Sequence, residues 1–154
     1  MGAEAKLREL GIDLPSPPAS TANYVQFLRE GDLLFVAGQG PFSADGKIAY
    51  VGRVGKDVSE EDGYQAARLC AINCLAHIKA ALGSLDNVKR VLSLRGFVTC
   101  AEGFHDQPKV INGASDLMVE VFGDAGRHVR TAIGSNALPF NIATEVDMVV
   151  AVKS

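Results

Sequence analysis

The sequence predicts a single mixed α/β (α+β) domain, a β-sheet with two long helices packed on one face. Three observations carry this. The chain has 154 residues, of which 47% are hydrophobic and 21% charged, enough to build one buried core and too apolar for a disordered chain. Two long stretches repeat their apolar residues at helical spacing. Between and around them lie short runs rich in Val, Leu, Ile and Phe, so that the predicted order is β-hairpin, β, α, β, α, β, β.

Residues 1–19 read as a helical extension, around Ala3 to Leu10, followed by a link at Pro15-Ser16-Pro17-Pro18 that cannot continue a helix. Tyr24 to Leu28 and Leu33 to Ala37 are β-type runs separated by the polar turn Arg29-Glu-Gly-Asp32, which predicts a hairpin. A third strand is expected near Lys47 to Val54, after the turn at Asp45-Gly46. Ser59-Glu60-Glu61-Asp62 resembles a capping box. Ala66, Leu69, Cys70, Cys74, Leu75, Ile78 and Leu82 then recur at helical spacing until Gly83. Val88 to Cys100 reads as a strand, followed by a loop through Gly103 and Pro108. A second long helix presents Val110, Ala114, Leu117, Met118, Val121 and Phe122 and stops at Gly123. Thr131 to Gly134 and Glu145 to Val152 complete the sheet. The whole of 1–154 is expected to form one domain.

Several strands are apolar on both faces. Leu33 and Phe35 alternate with Leu34 and Val36, and Val146, Met148 and Val150 alternate with Val149 and Ala151. Two helices cover only one face of such a sheet, so a subunit partner is the economical cover for the other.

Composition narrows the function. Eighteen acidic against fifteen basic residues give a net charge of −3, and there is no Trp, which makes nucleic acid a poor default partner. The opening Met1 to Lys6 mixes charges where a secretory peptide needs an apolar run, so the expected location is cytoplasmic, with no membrane partner. Cys70, Cys74 and Cys100 have no CxxC spacing and signal neither a disulfide nor a zinc framework; Cys70 and Cys74, four apart in an apolar helical pattern, fit small buried hydrophobes better than a reactive thiol pair. His77, His105 and His128 are isolated, so no metal is expected.

The stretch richest in chemistry is Arg130-Thr-Ala-Ile-Gly-Ser-Asn-Ala-Leu-Pro139, with Glu145 after it. An arginine opening a small, largely apolar strand is costly to bury without an anion, and its planar fork suits a carboxylate. A structural ion pair with one of the chain's own acids explains it equally well. A carboxylate at Glu145, beside Val146, suits holding a water and moving protons if burial raises its pKa; a solvated strand end is the alternative. Gly38-Gln39-Gly40-Pro41 lets a ligand or a neighbouring backbone approach closely, or is a plain turn; it is not a phosphate loop. Tyr24 and Asn112 alone are ordinary core-edge or surface residues.

Together, Tyr24-Val-Gln, Val36-Ala-Gly-Gln39, Ser84-Leu-Asp-Asn-Val88 and Arg130-Thr-Ala-Ile, with Ala137-Leu-Pro139 and Glu145-Val-Asp147, resemble the Rid, or YjgF-type, family of reactive-intermediate deaminases, often labelled endoribonuclease L-PSP. The resemblance runs from about residue 20 to the C-terminus. It implies a chorismate-mutase-like fold, a homotrimer with clefts between subunits, and hydrolysis of enamine or imine intermediates of the 2-aminoacrylate or 2-iminopropanoate type to 2-keto acids and ammonia, without a cofactor. It also implies that Arg130 holds the substrate carboxylate, that Ala132 offers backbone contacts, that Glu145 positions the water, and that Tyr24, Gly38 and Asn112 line the cleft. The chain departs from the family pattern at Ala37, where a Ser is usual, at Ala132, where a Cys or similar residue is usual, and at Phe140 after Leu138-Pro139. A non-catalytic trimer binding small carboxylates is the alternative function. The acidic charge and the lack of a His pair disfavour a ribonuclease.

Overall fold

Ser59 sets the start of the longest helix, because its side chain accepts the Asp62 N–H, and Gly83 ends it in the left-handed conformation. The computed structural model describes residues 1–154. In chain order it contains α1 (Ala3–Glu9), β1 (Phe27–Glu30), β2 (Leu33–Gln39), α2 (Glu60–Leu82), β3 (Val88–Thr99), α3 (Gln107–Phe122), β4 (Val129–Ser135) and β5 (Thr144–Val152). Pro108 belongs to the first turn of α3, where its missing N–H has no intrahelical partner to lose.

The sheet order is β1-β2-β5-β3-β4, so the last strand inserts at the centre. All neighbours run antiparallel except β3 and β4, which α3 joins as a parallel crossover. The helices lie on one face, and their apolar stripes meet alternate residues of the central strands. Leu34, Leu75, Ile78, Leu94, Ile111, Leu117 and Met148 are fully buried between the layers; each contributes about 1.5–3 kcal/mol of transfer free energy. Cys70 and Cys74 lie in this layer, where burial pushes the Cys70 thiol up to about 12. Gly113 of α3 meets α2 so closely that a Cβ there would lie 2.0 Å from the Tyr64 carbonyl oxygen.

The predicted third strand does not form. Ile48, Val51 and Val54 make only isolated bridges, because Tyr50 (φ 81°), Gly52 (φ 117°) and Gly55 (φ 93°) turn the backbone out of the extended region. The first strand begins at Phe27, three residues later than expected, and leaves Tyr24 in an exposed bend. The extension is docked on the body, with Ala3 and Leu7 buried and Glu4 accepting the Leu85 N–H at 2.9 Å. No helix is long and apolar enough to cross a membrane.

The face opposite the helices is open. It carries Leu33 and Phe35 of β2, Ile133 of β4, and the Arg95–Asp147 pair, joined through two hydrogen bonds of 2.9 and 2.8 Å. Phe35 is 43% exposed and Ile133 46%, so this apolar surface has no cover within one chain.

Candidate functional site

Strand periodicity decides where the two charged candidates point. In β5, Thr144, Val146, Met148, Val150 and Val152 are buried under the helices, and Glu145 and Asp147 alternate onto the open face. In β4 the guanidinium of Arg130 reaches the helix side instead. Its Nη1 donates to Asn112 Oδ1 at 2.8 Å and to Ser115 Oγ at 3.2 Å, both on α3. Glu145 pairs with Phe97 across β3, Phe97 pairs with Ile133, and Arg130 lies three residues before Ile133. The two residues are thus on opposite faces and about 14 Å apart at Cα from strand spacing. The structure does not bring them together within one chain.

Glu145 is half-buried, and its carboxyl packs on the backbone of Gly38. A Cβ at Gly38 would lie 3.0 Å from Glu145 Cδ and Oε2 and 3.3 Å from Cγ. Space, not backbone conformation, is the reason for glycine here. Burial pushes the Glu145 carboxyl above the usual range, and the neighbouring charge of Asp147 adds to the shift. No donor in the chain is bonded to it. Such a carboxyl exchanges a proton nearer to neutral pH than an exposed glutamate does.

The cavity against Glu145 has a volume of about 690 Å³ and is lined by Tyr24, Gly38, Phe42, His77 and Phe140, with the Pro15 to Pro18 link as one wall. Phe140, 76% exposed, holds a left-handed conformation at φ 60°, an uncommon state for a large side chain. Tyr24, Gly38 and Glu145 thus share one region.

Arg130, Asn112 and Ala132 form the other region, on the helix side of the edge strand β4, and none of them lines that cavity. Arg130 has no carboxylate partner in its own chain, so the structural ion pair does not exist. Its Nε and Nη2 make no hydrogen bond, and these two atoms form the edge that accepts a carboxylate side-on.

Sequence reasoning missed four members of these groups. Ser115 is one turn from Asn112 on α3, a helical spacing that places both under the same strand. His128 precedes Arg130 by two residues and shares its side by strand periodicity; its Nε2 is 2.9 Å from Ser115 Oγ. Asp147 stands two residues from Glu145 by the same rule. His77, nearly fully buried in α2, floors the cavity, a placement that no spacing in the sequence reveals.

Comparison with known proteins decides the family. The model of the family described as "YjgF/chorismate mutase-like, putative endoribonuclease" matches residues 4–151. The chain belongs to this family. It is 44% identical over 147 residues to Protein TCP17 of Trypanosoma cruzi, covering 95% of this chain and 91% of that protein. The solved structure of Atu1372 from Agrobacterium tumefaciens, a protein of unknown function, is 47% identical with a TM-score of 0.91, covering 98% of this chain and 92% of that one. A Shewanella oneidensis structure that shares the endoribonuclease description is 34% identical with a TM-score of 0.95, covering 99% and 100%. Membership gives the chain the YjgF/chorismate-mutase-like fold, a single mixed α/β domain with a five-stranded sheet and three helices.

Proposed function

We propose that this YjgF-family chain hydrolyses imine and enamine intermediates of the 2-iminopropanoate type to 2-keto acids and ammonia, in clefts between the subunits of a homotrimer. The observation that carries the reading is the placement of its two charged groups. Arg130 offers a free Nε–Nη2 edge on one side of the sheet edge, and Glu145 offers a raised, unpartnered carboxyl on the other face. A head-to-tail ring lays the edge strand β4 of one subunit near the open face of the next, which pairs one copy's arginine with another's glutamate. The same contact covers Phe35 and Ile133.

In this cleft the guanidinium grips the substrate carboxylate and fixes the imine carbon over Glu145. The Glu145 carboxylate takes a proton from water as the water oxygen bonds to the imine carbon, and passes that proton to the nitrogen to give a neutral carbinolamine. Glu145 then takes the hydroxyl proton and delivers it to the nitrogen as the C–N bond breaks, so that the carbonyl forms and ammonia leaves. The carbon is already electrophilic, so no covalent nucleophile is required. Ribonuclease action fits less well, because the chain is acidic and His77, His105 and His128 belong to separate segments.

The test couples purified protein to a threonine dehydratase and follows 2-oxobutanoate. Wild type accelerates its appearance. Arg130→Ala lowers kcat/KM by roughly 30- to 1,000-fold, the equivalent of about 2–4 kcal/mol for a charged hydrogen-bond set in a desolvated site. No acceleration by wild type, with 2-oxobutanoate still bound, would replace the enzyme with a carboxylate-binding protein.

A further inference from the structure

Arg130 does not choose its own orientation. His128 Nδ1 lies 2.6 Å from the carbonyl oxygen of Gly126, and a carbonyl only accepts, so Nδ1 carries the proton. In the neutral ring Nε2 is then a bare lone pair, and the group facing it at 2.9 Å is Ser115 Oγ. The serine must donate its one hydrogen there. Its own lone pairs therefore face the other way, toward Arg130 Nη1 at 3.2 Å. The second Nη1 hydrogen goes to Asn112 Oδ1 at 2.8 Å. With the ring neutral, the bonds in this line run in one direction, from Arg130 to Ser115 to His128 to the Gly126 carbonyl.

The consequence lies in which donors remain. Both hydrogens of Nη1 are taken by neutral oxygens of α3, and no acid of the chain competes for the charge. The Nε–Nη2 edge, the one suited to side-on carboxylate contact, is left free and is held at a fixed angle. A serine alone would hold this arginine loosely, because its hydroxyl could rotate and turn its hydrogen toward the cation. The bare nitrogen of His128 removes that freedom.

We propose that His128, acting through Ser115, is a positioning residue that aims the free edge of Arg130 at the ligand carboxylate. The proposal rests on the reading of Arg130 as the carboxylate anchor, and its test separates the two. A group that only aims the anchor strengthens ground state and transition state alike, so its loss raises KM and leaves kcat nearly unchanged.

The experiment measures 2-oxobutanoate binding by calorimetry, and kcat and KM in the coupled assay, for Arg130→Ala, Ser115→Ala, His128→Phe, His128→Asn and His128→Gln. Ser115→Ala, His128→Phe and His128→Asn are expected to weaken 2-oxobutanoate binding and raise KM about 5- to 10-fold, with kcat within twofold. His128→Gln restores an acceptor near the position of Nε2 and is expected to recover binding to within threefold, whereas His128→Asn keeps only the donor to Gly126. Ser115→Ala removes a single hydroxyl and keeps the test valid if a histidine variant fails to fold. If Arg130→Ala binds 2-oxobutanoate like wild type, the anchor reading itself fails. If Arg130→Ala loses binding while Ser115→Ala and the folded His128 variants bind normally, or if Asn rescues as well as Gln, the positioning role is overturned and the anchor stands.

Discussion

Gly38→Ala isolates the carboxyl of Glu145 from every other part of the site. The added methyl would lie 3.0 Å from Cδ and Oε2 and 3.3 Å from Cγ, and carbon atoms attract best at about 3.5–4.0 Å. The overlap is therefore about 0.5–1 Å. The backbone at Gly38 is not left-handed, so alanine adds no strain of its own, and the glutamate chain is flexible enough to retreat. Stability should change by less than about 1.5 kcal/mol. The carboxyl, however, shifts by a distance close to the tolerance of a water-positioning group, where about 1 Å costs on the order of 100-fold. We expect kcat to fall about 10- to 100-fold while 2-oxobutanoate binding, which the proposed function assigns to Arg130, stays within threefold. The coupled assay gives kcat, calorimetry the binding, and thermal unfolding checks the fold. Turnover within twofold of wild type in a folded Gly38→Ala protein would show that the position of this carboxyl does not limit the reaction.

Asp147→Asn removes the charge that adds to the burial of Glu145, so the Glu145 carboxyl titrates lower than in wild type but still above an exposed glutamate, as read by NMR of its side-chain carbon. Because the folded value of Glu145 lies above the unfolded one, the native state binds more protons between the two, and wild type loses stability as pH rises through that window. Glu145→Gln lacks this loss, so its advantage in thermal unfolding should be absent near pH 3 and present at pH 8; an advantage equal at both would contradict the shift. Gly113→Ala puts a methyl 2.0 Å from the Tyr64 carbonyl oxygen, and backbone on both sides must move, so we expect a loss of about 3 kcal/mol, near 6–12 °C in Tm. A Tm within 2 °C of wild type would mean that the two helices are not held as closely as described.

Local signals were legible wherever one residue decides the outcome. Ser59 and Gly83 bound α2 because a cap and a left-handed glycine act without tertiary help. The run from Lys47 to Val54 misled because β-type side chains form a strand only beside a partner, and Tyr50 and Gly52 leave the extended region there. Tyr24 fell outside β1 for a related reason: its segment meets β2 only from Gln26, whose carbonyl accepts the Ala37 N–H, and from Phe27, which pairs with Val36. The period of two places Glu145 with Asp147 and Arg130 with His128, yet it does not say which face either pair occupies. That depends on the insertion of β5 between β2 and β3 and on the parallel pairing of β4, both set by long-range contacts.

The division of Arg130 and Glu145 between the two sides of the sheet has a genetic consequence. Under the proposed ring, Arg130→Ala and Glu145→Gln subunits are each inactive alone but complement one another when unfolded together and refolded as a mixture. Random assortment of equal amounts would restore an intact junction at roughly a quarter of the clefts, because each cleft draws its cation from one chain and its acid from another.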